Sequence, residues 1–343
     1  MAPNFLVILI DYDPDLFDLT PAIKEAMEFA LAQIGAELQV GQHRSEEAVL
    51  SYAAQADLVM VQSVRALLTG AVIRKLTHCR GIIRMGLGYD SIDLAAATEM
   101  GIPVSNVVDW CTDEVAEHAI ALLLSGARHI PALNSSLKSG SWKRTLALPT
   151  YRLRGKCVGI IGFGRIGQAV ALRLSGFGMT LLAYDPYIDA DTIAQFHAQK
   201  VRLEELLAGS DFISVHARLS AETWHLIGAA ELGQMKPGAF LVNTSRGAII
   251  DEIALIETLR SGRLSGAALD VMEIEPLPDD SPLRRMEQVT LTPHLSSYSE
   301  EAVAELYQKS TEIAVNLLTG RQVGTIVNPE FRRQDRQASN QQF

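Results

Sequence analysis

Short apolar runs alternate with longer amphipathic stretches through most of this sequence, and this alternation constrains the fold more than any other feature. The runs are rich in Val, Ile and Leu, which is typical of parallel strands covered on both faces. They lie at residues 5–10, 58–61, 81–84, 158–161, 181–184, 212–215, 240–243 and 267–271. The helical stretches include 22–34, 167–176, 252–261 and 300–318. The pattern predicts an α/β fold built on doubly wound parallel sheets.

The alternation occurs twice, which predicts two domains within the 343 residues. The first domain is expected to contain residues 1–104, together with the final helix in 296–330. The second is expected to contain residues 105–295, beginning with a long helix. A cleft is expected between the two domains. The polar tail, 331–343, is rich in Gln and Arg, a composition that predicts disorder.

The overall charge argues against some classes of partner. The formal net charge is −10 and the pI is about 5.3, so a nucleic-acid or anionic-membrane surface, which needs clustered Lys and Arg, is not expected. The three cysteines form no Cys-x-x-Cys pair, which favours a reducing compartment, and no metal site is expected. The first apolar stretch, 5–10, is too short for a signal peptide or a membrane span. We therefore expect a cytoplasmic protein.

The strongest local motif is Gly-x-Gly-x-x-Gly at residues 162–167, which follows an apolar run directly and opens a helical stretch. The first glycine of such a motif permits a tight turn, and the second lets a pyrophosphate approach the backbone. The third lets the helix pack closely on the strand. The start of the helix adds free N–H groups and a partial positive charge. The motif predicts a Rossmann dinucleotide-binding domain.

An acidic residue at the end of the next apolar run bears on the choice of cofactor. Asp185 directly follows the run 181–184. An acid at this place accepts hydrogen bonds from the adenosine ribose hydroxyls and repels the extra phosphate of NADP. A second interpretation, that Asp185 is a turn residue beside Pro186, stays open. The first interpretation predicts a preference for NAD.

Titratable side chains end three later apolar runs, at the places where open α/β sheets bind ligands. Arg246 follows the run 240–243, and a guanidinium pairs well with both oxygens of a carboxylate. A surface loop Arg is an equally good interpretation. Asp270 and Glu275 mark the next strand end, although Glu275 alone also fits a solvated loop. His294 follows the last run, and an imidazole paired with a carboxylate keeps one tautomer and can protonate a carbonyl oxygen.

Together these motifs resemble the D-isomer-specific 2-hydroxyacid dehydrogenases over residues 50–330. The matching motifs are the glycine motif with Asp185, Asn-Thr-Ser-Arg-Gly at 243–247, Asp-Val-Met-Glu-Ile-Glu-Pro at 270–276 and Thr-Pro-His at 292–294. The resemblance implies a Rossmann nucleotide domain and a flavodoxin-like substrate domain. It also implies an NAD-dependent oxidoreductase that moves hydride between NAD(H) and a small 2-hydroxy or 2-keto acid.

The resemblance implies roles for individual residues. Arg246 would orient the substrate, Glu275 would pair with His294, and His294 would be the catalytic acid and base. The implied substrate-binding residues are Gly86, Leu87, Gly88 and Arg246. The implied cofactor-binding residues are Thr112, Gly162, Gly164, Arg165, Ile166, Gly167, Asp185, His216, Thr223, Thr244, Ser245, Asp270, His294 and Ser296.

The sequence departs from the family pattern in two places. Residues 216–220 are His-Ala-Arg-Leu-Ser, so Arg218 replaces a proline expected beside the cofactor. Leu295 and Ser296 replace a small glycine pair after the histidine. Both changes affect the pocket and leave the identity of the acid open. No regulatory domain is expected after residue 330, and a long, allosteric phosphoglycerate enzyme is therefore not expected.

Four phrases are most similar to the C-terminal-binding-protein group of this family, which includes transcriptional corepressors. They are Gly-Gln-Ala-Val-Ala-Leu-Arg at 167–173, Tyr-Asp-Pro-Tyr at 184–187, Gly-Ala-Phe-Leu-Val-Asn-Thr at 238–244 and Tyr-Ser-Glu at 298–300. The alternative to an enzyme is therefore an NAD(H)-sensing scaffold that recruits partners. The resemblance also implies a homodimer, with the segment around Trp142 as a candidate contact.

Overall fold

The computed structural model describes residues 4–331, which divide into two compact units. Unit 1 contains the chain up to Trp110 and again from Ser299, and unit 2 contains Cys111–Tyr298. The boundary expected after residue 104 falls inside a strand of unit 1, because 104–106 pair with the neighbouring strand. Apart from Phe331, the tail predicted to be disordered lies outside the described residues.

Unit 1 is built on a sheet of five parallel strands. Its strands are β1 (Phe5–Leu9), β2 (Ala36–Val40), β3 (Leu58–Val61), β4 (Gly81–Arg84) and β5 (Val104–Asn106). Its helices are α1 (Pro21–Ala32), α2 (Glu46–Ala53), α3 (Gly70–Ile73), α4 (Leu94–Glu99) and α12 (Glu300–Leu318). The strand order β2-β1-β3-β4-β5 is that of flavodoxin-like doubly wound folds.

The central strands of unit 1 are continuous apolar runs because both of their faces are covered. β3 is buried throughout. The edge strand β2 alternates instead, since Ala36 and Leu38 are buried while Glu37 is exposed, and for that reason a search for continuous runs missed it. The last helix, α12, packs on α1, and its buried Tyr307 donates a hydrogen bond from Oη to the Phe17 carbonyl at 2.7 Å. The final helix therefore belongs to unit 1.

Unit 2 is built on a sheet of seven parallel strands. They are β6 (Cys157–Ile161), β7 (Thr180–Tyr184), β8 (Ala198–Lys200), β9 (Phe212–Val215), β10 (Phe240–Asn243), β11 (Gly266–Leu269) and β12 (Val289–Leu291). The helices are α5 (Thr112–Ala127), α6 (Ile130–Lys138), α7 (Arg165–Leu174), α8 (Ala190–Ala194), α9 (Leu203–Gly209), α10 (Ala229–Gln234) and α11 (Glu252–Arg260). Short 3₁₀ turns occupy Arg144–Ala147, Ser175–Phe177, Gly247–Ile249 and Pro282–Arg285.

The strand order of unit 2 is β12-β11-β10-β9-β6-β7-β8. Counted from β6, this is the Rossmann order with one further strand, and the order reverses between β6 and β9. Apolar clusters cover both faces of the sheet: one packs around Leu241 and Ile213, and the other around Val158 and Val242. The predicted fold class, two doubly wound parallel-sheet α/β domains, is confirmed.

Most predicted elements differ from the observed ones only at their ends. α7 begins at Arg165, two residues earlier than predicted, because the helix starts inside the glycine motif. β11 ends at Leu269 instead of residue 271, because Asp270 already bends away to make side-chain contacts described below. Across residues 4–331, no helix combines the length and apolarity that a bilayer span requires.

Candidate active site

The glycine loop, defined as residues 162–167, joins β6 to α7. Gly162 has φ +87°, and a Cβ on it would lie 2.4 Å from the Ala217 nitrogen. A Cβ on Gly167 would lie 2.3 Å from the Gly162 oxygen, so helix and strand approach too closely for a side chain. Gly164 has open space where its Cβ would be. The loop therefore needs glycine for its shape and leaves the start of α7 accessible to a phosphate.

Asp185 directly follows β7 and is buried. Its Oδ2 accepts a hydrogen bond from the Phe163 N–H at 2.8 Å. Its Oδ1 accepts hydrogen bonds from the N–H groups of Tyr187 at 2.8 Å and Ile188 at 3.2 Å. Asp185 thus stabilises the turn beside Pro186, as its second interpretation held. Since a carboxylate offers about four lone-pair sites, it keeps capacity for a ribose hydroxyl.

The ends of β9 and β10 supply further polar groups on the same side of the sheet. Thr244 Oγ1 is buried and has no hydrogen-bond partner among the described residues. Ser245 Oγ donates to the Ala217 carbonyl, so that hydroxyl is already used. His216 Nε2 lies 2.8 Å from Ser214 Oγ, and burial lowers the pKa of His216 to about 4. The unpartnered Thr244 hydroxyl, the open Gly164 and Asp185 fit a bound dinucleotide.

The other residues predicted to bind the cofactor have positions that do not by themselves indicate a ligand. Arg165 is exposed and Ile166 half-buried in the first turn of α7. Thr112 opens α5 and is half-buried. Thr223 caps its own turn, because its Oγ1 donates to the Arg218 carbonyl at 2.6 Å and accepts from a backbone N–H at 2.8 Å. Their cofactor roles stay predictions.

The ends of three adjacent strands bring the remaining predicted residues to one edge of the sheet. Asn243 of β10 is in register with Leu269 of β11, which is in register with Leu291 of β12. Arg246, Glu275 and His294 lie in the loops that leave these strands. Because all three strands are parallel, these loops emerge on the side where β6 continues into the glycine loop.

His294 and Glu275 form a direct pair. His294 Nδ1 lies 2.7 Å from Glu275 Oε2, and both side chains are 26% exposed. The other carboxylate oxygen, Oε1, accepts a hydrogen bond from the Met272 N–H at 3.0 Å. A carboxylate only accepts, so Nδ1 carries a hydrogen and Nε2 is left to exchange a proton with a ligand. The loop that carries Glu275 is called the acid–base loop, 270–276.

Asp270, at the start of the acid–base loop, is fully buried. Its Oδ1 accepts hydrogen bonds from Thr292 Oγ1 at 2.6 Å and from the Leu295 N–H at 2.9 Å. Its Oδ2 accepts one from the Ser296 N–H at 2.9 Å. His118 Nε2 lies 3.0 Å from Thr292 Oγ1 and 3.6 Å from Asp270 Oδ1. These contacts make Asp270 the anchor of the segment that carries His294, and the predicted cofactor contacts of Asp270 and Ser296 stay predictions.

Arg246 lies in a tight turn after β10. Asn243 Oδ1 accepts a hydrogen bond from the Ser245 N–H at 3.0 Å, and Asn243 Nδ2 donates to the Arg246 carbonyl at 2.9 Å. A Cβ on the next residue, Gly247, would lie 1.9 Å from the carbonyl carbon of Met272. The turn that carries Arg246 therefore packs directly on the backbone of the acid–base loop, and only glycine permits this approach.

The predicted substrate-binding segment, 86–88, follows β4 in unit 1. Its Gly86 has φ +154° and is buried, while Leu87 is 38% exposed. The Leu87 carbonyl accepts a hydrogen bond from Asn106 Nδ2 at 2.7 Å. The buried Arg84 side chain donates hydrogen bonds to the Gln62 carbonyl and to the carbonyl of the next residue, Met85. The backbone of this segment is thus fixed, and its contact with a substrate carboxylate stays a prediction.

Sequence reasoning missed two histidines beside these loops. His118 lies on α5 and reaches Thr292, and His225 Nε2 lies 2.9 Å from Glu273 Oε1 in the acid–base loop. His118 follows Glu117 in an amphipathic helix and carried no local signal. His225 is 48 residues from Glu273, so only the tertiary structure joins them.

The family model for the D-isomer specific 2-hydroxyacid dehydrogenase NAD binding domain matches residues 120–296. A D-3-phosphoglycerate dehydrogenase of Archaeoglobus fulgidus is 38% identical over 308 residues, which cover 90% of this chain and 58% of that protein. A glyoxylate reductase of Korarchaeum cryptofilum is 40% identical over 254 residues, covering 73% of this chain and 76% of that protein.

A similar solved structure is an NAD-dependent formate dehydrogenase from Staphylococcus aureus in complex with NAD, with a TM-score of 0.82 at 31% identity. The match covers 93% of this chain and 96% of that one. The matched family domain binds NAD, so the prediction of NAD as cofactor is confirmed. This chain belongs to the D-isomer specific 2-hydroxyacid dehydrogenase family.

Proposed function

We propose that this protein is an NAD-dependent dehydrogenase that interconverts small 2-keto acids and D-2-hydroxy acids. The observation that carries the proposal is the His294–Glu275 pair, 2.7 Å apart, on the sheet edge that also holds the glycine loop. Such a pair supplies an acid and base whose tautomer is fixed by its partner. The alternative, an NAD(H)-sensing scaffold, is not favoured, because the matching relatives are named dehydrogenases and reductases.

In the reductive direction, NADH supplies a hydride to the keto carbon when it is bound. Protonated His294 gives its Nε2 proton to the carbonyl oxygen, so that the C=O bond becomes an alcohol and the imidazole becomes neutral. Glu275 accepts the Nδ1–H throughout and stabilises the imidazolium before transfer. Arg246 holds the substrate carboxylate and polarises the keto oxygen. Acid catalysis of this kind contributes about 10²–10⁴-fold to the rate.

The substrate class is best tested with a panel of acids. NADH oxidation should be measured with glyoxylate, pyruvate, hydroxypyruvate, phosphohydroxypyruvate and bulkier 2-keto acids, and formate oxidation should be measured with NAD. We expect reduction of at least one small 2-keto acid. No reduction of any of these acids, or activity with formate alone, would contradict the proposal.

We propose that the enzyme prefers NAD to NADP because Asp185 lies where the ribose hydroxyls are expected. Its buried carboxylate is held by three backbone N–H groups, so it cannot swing away from an added phosphate. The kcat/KM with NADH should be higher than the kcat/KM with NADPH. The Asp185→Ser substitution should reduce the ratio of the NADH value to the NADPH value. Equal kcat/KM values in the unchanged protein would refute the assignment.

We also propose a cytoplasmic homodimer. In unit 2, a segment after α6 exposes large apolar side chains: Trp142 is 79%, Leu148 71% and Tyr151 62% exposed. Such a patch is typical of a protein–protein contact. The three cysteines take part in no disulfide, which supports a reducing compartment. Light scattering should give twice the 37.4 kDa chain mass, and Trp142→Glu should give monomers; a monomer before any substitution would exclude the dimer.

A further inference from the structure

We propose that His225, Glu273 and Glu252 form a clamp that holds the acid–base loop in its working position, with His225 as a positioning residue for the Glu275–His294 pair. This inference rests on the proposed function, since it assigns a role relative to that pair. The clamp is defined by these three residues. His225 lies in the connection between β9 and α10, whereas Glu252 begins α11 and Glu273 lies in the acid–base loop.

Three hydrogen bonds close the clamp. His225 Nε2 lies 2.9 Å from Glu273 Oε1. Glu273 Oε2 accepts from the Glu252 N–H at 3.4 Å, and Glu252 Oε2 accepts from the Glu273 N–H at 3.1 Å. The two acidic residues thus bind each other's backbone reciprocally, and this arrangement fixes the Glu273 backbone from both sides.

Two acidic side chains that bind each other's backbone bring like charges near each other, so a further hydrogen-bond donor stabilises the arrangement. Burial raises the pKa of Glu252, and the charge of Glu273 raises it further. His225 supplies the donor, and the pair is shielded, because the side chains of His225 and Glu273 are only 22% and 30% exposed. The Trp224 ring stacks on the imidazole with centroids 3.5 Å apart, a contact that helps to hold the imidazole in place.

The backbone at His225 is also held in an unusual conformation. Its φ is +50°, a left-handed conformation that strains a non-glycine residue and persists only where the surroundings enforce it. The His225 N–H donates to the Ala248 carbonyl at 2.8 Å, and this bond ties it to the turn after Arg246. The imidazole is therefore directed at Glu273 by a fixed backbone.

The clamp is connected to the acid–base pair through few bonds. Glu273 is two residues before Glu275 and adjacent to Met272, whose N–H donates to Glu275 Oε1 at 3.0 Å. Glu275 Oε2 in turn lies 2.7 Å from His294 Nδ1. A shift of the Glu273 backbone would consequently move the adjacent Met272 N–H, which orients the Glu275 carboxylate. Displacements of about 1 Å in positioning groups can cost about 10²-fold in rate.

A purely structural role is the competing explanation, because Glu273 Oε2 also satisfies the first N–H of α11. A structural cap would lower stability when it is removed and leave turnover per folded molecule unchanged. A positioning role lowers kcat and leaves the affinity for NADH unchanged, because the glycine loop and Asp185 are untouched. The two explanations therefore differ in a measurable way.

The test uses the full chain with His225→Ala, His225→Gln, Glu273→Gln and the His225→Ala/Glu273→Gln double variant. We expect His225→Ala to lower kcat about tenfold or more with unchanged KM for NADH, and His225→Gln to recover part of kcat because glutamine keeps an N–H donor. The kcat of the double variant should be no lower than the kcat of the less active single variant. Hydrogen exchange at the Met272 and Glu273 amides should accelerate in His225→Ala.

Two matched controls remove similar groups elsewhere. Glu205→Gln changes an exposed glutamate that pairs with Arg202 at 3.0 Å, and His78→Ala removes an exposed imidazole of unit 1; both should keep the kcat of the unchanged protein. The clamp is refuted if His225→Ala keeps its kcat, or if exchange at 272 and 273 is unaltered. The exchange measurement needs no turnover, so it decides the clamp even if the proposed activity is absent.

Discussion

Two regions of unit 2 reach the same sheet edge by different physical means. The glycine loop, 162–167, is formed by neighbouring backbone, and added Cβ atoms at Gly162 or Gly167 would lie 2.4 and 2.3 Å from other backbone atoms. The acid–base loop, 270–276, is held mainly by side chains from distant segments. His294 binds Glu275, and His225 binds Glu273, at 2.7 and 2.9 Å.

The difference predicts how each region responds to substitution. In the glycine loop, shape is the constraint, so one added methyl group should be enough to disturb cofactor binding. In the acid–base loop, hydrogen-bonding and charge are the constraint, so a substitution that changes them should reduce turnover and leave cofactor binding intact. The following predictions test this separation, beginning with the largest effect.

His294→Ala should lower kcat by about 10²–10⁴-fold, because the transition state loses its proton donor. The dissociation constant of NADH, measured by fluorescence titration, should stay the same. Full turnover in this variant would end the acid–base assignment. A large loss of NADH affinity would contradict the proposal that the acid–base loop affects turnover and not cofactor binding.

Arg246→Ala should lower kcat/KM for the keto acid by about 10- to 100-fold, since a hydrogen bond to a charged group is worth about 1.5–3 kcal/mol. Arg246→Lys should retain only part of the kcat/KM of the unchanged protein, because an ammonium cannot bind both carboxylate oxygens as a guanidinium does. Steady-state kinetics at saturating NADH measures both. An unchanged kcat/KM would exclude Arg246 as the group that holds the carboxylate.

Gly162→Ala should weaken NADH binding about tenfold, because a left-handed backbone and a 2.4 Å contact with Ala217 together cost of order 1–3 kcal/mol. Gly176→Ala is the matched control, since a Cβ there meets nothing within 4 Å. Calorimetric titration with NADH compares the two. Equal affinities would show that the loop tolerates a side chain and that its shape is not the constraint.

The smallest effect concerns the pH dependence of stability. Burial lowers the pKa of His216 from its ordinary value of 6.5 to about 4, so the folded protein keeps this imidazole neutral. The unfolded chain binds the extra proton first, and the free energy of unfolding therefore falls as the pH decreases from 6.5 towards 4. His216→Gln should have a shallower pH dependence of its urea midpoint in this window. An identical pH dependence would contradict the neutral assignment.

The parts of this fold that the sequence predicted are those with a local cause. Continuous apolar runs identified β3, β4, β9 and β10 to the residue because these strands are buried on both faces. The edge strands β2 and β8 were missed because each is exposed on one side or is only three residues long. Burial patterns at an edge depend on the neighbouring strand, which the sequence does not specify.

The candidate site shows the same limit more sharply. The glycine loop followed from spacing alone, whereas Glu275 and His294 were joined by their resemblance to a family, because 19 residues separate them. His118 and His225 carried no local signal at all. The hydrogen bonds by which Asp185 stabilises its turn also needed the structure, since they come from backbone N–H groups on two separate segments.

The central claim is that His294 exchanges a proton with the substrate while Glu275 holds its other nitrogen. A crystal structure of the protein with NADH and oxalate, a non-reducible acid, tests it most directly. We expect His294 Nε2 within about 2.6–3.2 Å of an oxalate oxygen, with the Nδ1–Glu275 contact retained. An imidazole turned away from the bound acid, with the Glu275 contact broken, would contradict the account.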